Sequence, residues 1–123
     1  MPLNPFHLSF AVPDLRAAAR FYEDVLGCAR GRDAGQWLDV MLFGHQLTLH
    51  QATTQHPARP IDHFGVLLSE SQWHAFIGQL HGAGVDFVMP PQVSDAGTRN
   101  ERGKLLLHDP AGNLLEFKYQ AAG

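Results

Sequence analysis

His7, His63 and Glu116 are the residues whose types and places could do chemistry together in this chain. Two imidazoles and one carboxylate brought to one cavity make a ligand set for a divalent metal, with positions left open for substrate, water or dioxygen. Imidazole suits iron, manganese, nickel or zinc, and the carboxylate offsets part of the metal's charge. The chain holds eight histidines, and histidine serves both metal ligation and proton transfer near neutral pH. Any one of them alone is more often a hydrogen-bonded strand residue, and a lone strand glutamate more often faces water. The three matter jointly only if the fold gives them matching positions.

The elements that must do this recur in the sequence. Residues 6–12, FHLSFAV, read as a strand. Asp14 caps a helix whose apolar stripe is Leu15, Ala18, Ala19, Tyr22, Val25 and Leu26, with Gly27 as its stop. Three strands follow, around 28–32, 37–43 and 46–51, the last two joined by a turn at Gly44 and His45. The second half repeats the pattern. Residues 61–68 read as a strand, and Ser69 or Ser71 caps a helix striped by Trp73, Phe76, Ile77 and Leu80, with Ser69 and Gln72 placed to form a capping box if Ser69 is the cap. Gly84 stops that helix, and strands at 85–89, 103–108 and 113–119 complete the half. Each half is strand–helix–strand–strand–strand. His7 and His63 stand at matching places, as do Gly27 and Gly84, and Gly44 and Gly112. The expected organisation is one domain, 1–123: module one 1–52, a polar linker 53–60 with two prolines, and module two 61–123. A Pro-, Gly- and charge-rich loop is expected over 90–102.

Alternation then sorts the strand faces. Leu8, Phe10 and Val12 suit a helix, while His7, Ser9 and Ala11 form a small, polar face. Leu115, Phe117 and Tyr119 oppose Leu114, Glu116 and Lys118, and Leu47 and Leu49 oppose Gln46, Thr48 and His50. If the sheet curls, the second face lines a cavity, with Ser9, Ala11 and Gly65 leaving room for a ligand. Trp37 and Phe43 are candidates to flank it, and Arg99, Arg102 and Lys104 to meet an anionic substrate.

Composition narrows the classes. With 45% hydrophobic and 17% charged residues and a net charge of -3, the chain is an ordinary globular domain without the basic excess of a nucleic-acid or membrane-surface binder. No signal peptide or membrane-spanning run is expected in it. The single cysteine, Cys28, reads as a packing residue and fits a cytoplasmic location.

The stretches HLSFAVPDLRAAARFYEDVLG, IDHFGVLL and LLLHDPAGNLLEFK resemble the vicinal oxygen chelate superfamily. That group includes glyoxalase I, extradiol dioxygenases, fosfomycin-resistance thiol transferases and bleomycin-binding proteins. The resemblance covers nearly the whole chain. It implies an α+β fold of two βαβββ modules forming an incomplete mixed-sheet barrel around a metal cavity, commonly in a homodimer. It implies His7, His63 and Glu116 as the ligands. Glyoxalase I would add a fourth, a glutamate in the last strand of module one. If Gly44 aligns with Gly112, that place falls on Thr48, a poor metal ligand. His50, two residues on with the same facing, is then the candidate general acid–base.

The expectation is a metal-dependent, dioxygenase-like enzyme. It would act on a small substrate that chelates the metal through adjacent oxygens, with Ser9, Trp37, Thr48 and Lys104 at the substrate. The alternatives are a glyoxalase-like lyase, a fosfomycin-type thiol transferase, or a metal-free drug-binding resistance protein.

Overall fold

The computed structural model describes residues 4–121. The chain forms two compact units that divide between Pro60 and Ile61.

In the first unit, β1 (His7–Val12) leads into α1 (Leu15–Arg20), then β2 (Ala29–Asp33), β3 (Trp37–Leu42) and β4 (His45–Gln51). The sheet order is β1-β4-β3-β2, with β1 parallel to β4 and the other pairs antiparallel. Asp14 caps α1 by accepting the Ala17 amide on its carboxylate. The helix read as continuous through Leu26 instead widens into a π segment, Phe21–Val25, closed by the Leu26 amide on the Phe21 carbonyl. The widened turn buries Tyr22 completely beside Ala18, Ala19 and Leu26. These residues pack on the apolar face of the sheet, made by Phe10, Val12, Leu38, Val40, Leu42, Leu47 and Leu49. The hairpin turn sits at Phe43 and Gly44, one residue earlier than expected, and His45 opens β4. Both turn residues have positive φ, 48° and 83°, the twist-matched geometry of a two-residue hairpin.

The second unit comprises β5 (Phe64–Leu68), α2 (Glu70–Gly82), β6 (Phe87–Ser94), β7 (Arg102–His108) and β8 (Leu114–Gln120). Its sheet order is β5-β8-β7-β6, again with one parallel pair, β5 with β8. The expected Ser69–Gln72 capping box starts α2. Trp73, Phe76 and Leu80 of α2 pack on Leu105, Leu107, Leu115, Phe117 and Tyr119, with the Phe76 and Phe117 rings 4.6 Å apart.

Two of the boundary differences from the sequence expectation bear on the site. β6 runs to Ser94 and carries Pro90 and Pro91, so the loop expected over 90–102 is confined to the residues between Ser94 and Arg102. Proline is tolerated because β6 is an edge strand, and register shifts between Phe87 and Gln92 absorb the missing donors. β5 begins at Phe64, which leaves His63 in the segment before the strand rather than within it. The two βαβββ modules are therefore present as two open four-stranded mixed sheets, and no closed barrel forms among the described residues.

Candidate functional site

Cross-strand register arranges the second face of the first sheet in rows. His7 lies opposite Gln46, which lies opposite Met41. Ser9 lies opposite Thr48, and Thr48 opposite Asp39. Ala11 lies opposite His50, and His50 opposite Trp37. Five of the expected site residues, His7, Ser9, Trp37, Thr48 and His50, thus share one face of one sheet.

The centre of that face is Asp39, which the sequence reading did not select. It is 1% exposed, flanked in β3 by the core residues Leu38 and Val40. The Thr48 hydroxyl donates to its Oδ1 at 2.7 Å, and Arg32 Nε donates to its Oδ2 at 2.7 Å. Gln46 Nε2 donates to Oδ2 at 3.5 Å. Burial alone would raise this carboxyl. The hydrogen bonds from Thr48 and Arg32, with the Arg32 charge, outweigh it and hold the group below the usual carboxylate value. Arg32 in turn lies over the Trp37 ring, 5.0 Å from its centroid. Across β2, a side chain at position 31 would meet the Asp39 Cβ at 3.0 Å, so glycine leaves the space this carboxylate fills. A signal was present in the sequence: Asp39 is a lone carboxylate inside an apolar strand, as Glu116 is.

His50 is half-buried between aromatic neighbours, with the Trp37 ring 6.4 Å and the His56 ring 5.4 Å away. His7 and Ser9 are exposed. Cys28 is buried and free, and its burial, then the Glu23 charge, push the thiol up to about 12, so it is a packing residue with no thiolate to offer.

In the second unit the corresponding rows run Gly65–Glu116–Leu106–Met89 and Leu67–Lys118–Lys104–Gln92. Glu116 stands opposite Gly65 as Thr48 stands opposite Ser9, so register makes Thr48 the counterpart of Glu116. Gly65 is required there: an added Cβ would fall 1.5 Å from the Glu116 carbonyl oxygen. The Glu116 side chain is 23% exposed, with Lys118 Nζ 3.9 Å from its Oε1. His63 is exposed, and its Nδ1 lies 3.1 Å from Asp62 Oδ2. An ionised carboxylate only accepts, so Nδ1 is the donor in this contact and Nε2 is the ring nitrogen left to face a ligand.

The turn between β7 and β8 ties this corner together. Asp109 Oδ1 accepts the amides of Ala111 and Asn113, and its Oδ2 accepts Asn113 Nδ2. Asn113 Oδ1 then accepts the Ile61 amide at 3.1 Å, which fixes the segment leading to His63 against the start of the Glu116 strand.

Of the three expected metal ligands, His7 belongs to the first unit and His63 and Glu116 to the second. Among the described residues no group of three His, Cys, Asp or Glu side chains is assembled to hold a metal ion. The donor chemistry of each residue fits a divalent metal: an imidazole on His7 with no hydrogen-bond partner among the described residues, the Nε2 side of the His63 ring, and a half-exposed carboxylate on Glu116. No helix of the described residues is long and apolar enough to cross a membrane.

Comparison with known proteins agrees with this architecture. A virulence protein of Salmonella typhimurium is 29% identical over 117 residues, covering 90% of this chain and 80% of that one. A solved glyoxalase/bleomycin resistance protein/dioxygenase from Alicyclobacillus acidocaldarius superposes with a TM-score of 0.78 at 28% identity, covering 95% of this chain and 91% of that one. Lactoylglutathione lyase from Agrobacterium tumefaciens shares the fold with a TM-score of 0.69 at 20% identity, covering 96% and 94%. The family model described as the Glyoxalase/Bleomycin resistance protein/Dioxygenase superfamily matches residues 5–117. With its paired β-α-β-β-β units and nearly full-length match, the chain belongs to that superfamily.

Proposed function

We propose that this protein is a metal-dependent enzyme that binds a small substrate through two adjacent oxygens, with dioxygenase-like chemistry. His7, His63 and Glu116 are the proposed ligands. The divalent metal, iron, manganese, nickel or zinc, would supply Lewis-acid chemistry and, as iron, a place for dioxygen beside the substrate.

The observation that carries this reading is the asymmetry between the counterpart positions. Glu116 presents a half-exposed carboxylate, whereas Thr48 has its hydroxyl committed to Asp39 and offers no anionic donor. Three protein ligands leave more of the coordination sphere to substrate than four would. The chain's own residues then do the rest. His50, held between Trp37 and His56, is the proposed acid–base group that takes or returns a substrate proton. Ser9 leaves room beside it, Trp37 gives the substrate an apolar wall, and Thr48 positions the Asp39–Arg32 pair. The proposed active form is a homodimer, and the proposed location is the cytoplasm, in keeping with the free Cys28.

The test is anaerobic purification, metal analysis, and oxygen uptake with a panel of catechols. Stoichiometric iron with oxygen consumption is the expected result. Nickel or zinc without oxygen uptake sinks the dioxygenase reading and turns the assignment to glyoxalase-like isomerisation, to be read with glutathione hemithioacetals.

A further inference from the structure

The chain contains only two lysines, Lys104 and Lys118. They are direct cross-strand partners on β7 and β8. Like charges placed opposite one another on a sheet repel and cost stability. Both lysines of the chain meet at this one paired position, and the arrangement asks what offsets the repulsion.

Their surroundings answer by charge. Lys118 has a loose contact with Glu116, 3.9 Å between Nζ and Oε1. Arg102, one row along, is paired with Asp95. Lys104 has no hydrogen-bond or ion-pair partner among the described residues. The two lysines, Arg102, Gln92 and Ser94 line a cavity of about 190 Å³. That is smaller than the roughly 300 Å³ typical of a whole drug-sized ligand, and it suits one functional group of a ligand. Gln92 and Ser94 come from β6, opposite Lys104 and Arg102 respectively, and add neutral donors to the cationic ones. Strand alternation puts Lys104, Lys118 and Glu116 on the same face, away from the α2 core.

We propose that Lys104 and Lys118, with Arg102, Gln92 and Ser94 around them, bind a small anion, a phosphate- or carboxylate-bearing group, one row from Glu116. Where Glu116 also holds a metal, this cavity selects substrates that carry an anionic group beside the chelating oxygens. That clause rests on the metal reading; the anion site itself does not.

Because there are only two lysines, reductive methylation with ¹³C-formaldehyde gives one resolvable NMR signal for each side chain besides the chain's amino terminus. The metal-stripped full chain is titrated with inorganic phosphate and, separately, with succinate, at constant ionic strength. The expected result is a saturable shift of both lysine signals with at least one of the two anions. Phosphate alone, succinate alone or both then identifies the group. Unmodified Lys104→Gln and Lys118→Gln, titrated while backbone amides are followed, are expected to bind at least tenfold more weakly. Arg16→Gln, an exposed position on α1, binds as the parent does. Glu116→Gln is expected to bind the anion at least as tightly, since it removes the carboxylate that competes for Lys118. Absence of saturable shifts with both anions overturns the proposal. So do equal shifts in Lys104→Gln, or loss of binding in Glu116→Gln. Failure of the metal reading shows separately, as wild-type protein that takes up no metal when divalent metal is added back yet still binds the anion.

Discussion

Thr48 donates its hydroxyl hydrogen to Asp39 at 2.7 Å, across the β3–β4 pair. That bond explains why the module-one counterpart of Glu116 is not a carboxylate. The row already contains one, buried and ionised, and a second beside it would place two negative charges in a site with one arginine. Thr48→Val removes the donor and leaves Asp39 with Arg32 and Gln46. The expected cost is about 2 kcal/mol of unfolding free energy, the usual range for a hydrogen bond to a charged group, read by chemical denaturation. Thr48→Glu is expected to destabilise more than Thr48→Val, and a Thr48→Glu protein as stable as the parent contradicts this account of the row.

The same network sets an acid limit. Asp39 is depressed below 3.8: burial pushes it up, and Thr48 and Arg32 pull it down further. A depressed carboxyl contributes stability that is complete above its unfolded value and lost as pH falls through the folded one. Unfolding free energy should therefore decline below about pH 4 in the parent, and decline less steeply in Asp39→Asn over the same window. Parallel slopes in the two proteins would remove Asp39 from the acid limb.

Tyr119 sets the opposite limit. Its hydroxyl donates to Glu101 at 2.7 Å. That hydrogen bond first, then burial and the acidic neighbours, raise the phenol from 10.0 to about 12. A raised folded value gives stability that is present below pH 10.0 and disappears as pH rises toward about 12. Tyr119→Phe should flatten that alkaline decline, as followed by denaturation at stepped pH.

Much of this was legible in the sequence, for identifiable reasons. The caps at Asp14 and Ser69, the apolar stripes of both helices and the alternation in β1, β4 and β8 are local patterns, and local patterns can be read from one chain. Lys104 was singled out for an anion, but its partner Lys118 emerges only from the β7–β8 register. Asp39 was missed for the same reason: its meaning comes from Thr48, Arg32 and Gln46 on neighbouring strands. The π segment at Phe21–Val25 and the positive φ of Phe43 follow from packing and hairpin twist, which no propensity announces. Pro90 and Pro91 argued for a loop because nothing local says that β6 is an edge strand.

Gly65 makes a sharp test of the Glu116 strand. A Cβ there would overlap the Glu116 carbonyl oxygen, so Gly65→Ala must push β5 away from β8. The expected loss is about 3 kcal/mol or more. Gly103→Ala is a matched control on the other face of the same sheet, where the added methyl meets the Tyr119 and Trp73 rings. Both should destabilise, and only Gly65→Ala should also move the backbone amide signal of Glu116.

The central claim is that His7, His63 and Glu116 hold one divalent metal together. It is tested most directly by metal content and metal affinity, measured on the parent, His7→Ala, His63→Ala, Glu116→Gln and, as a control, Thr48→Val. The account predicts affinity lower by about tenfold or more in each of the first three variants. Thr48→Val should retain metal like the parent. Unchanged metal content in His7→Ala and His63→Ala, with both proteins folded, would contradict it.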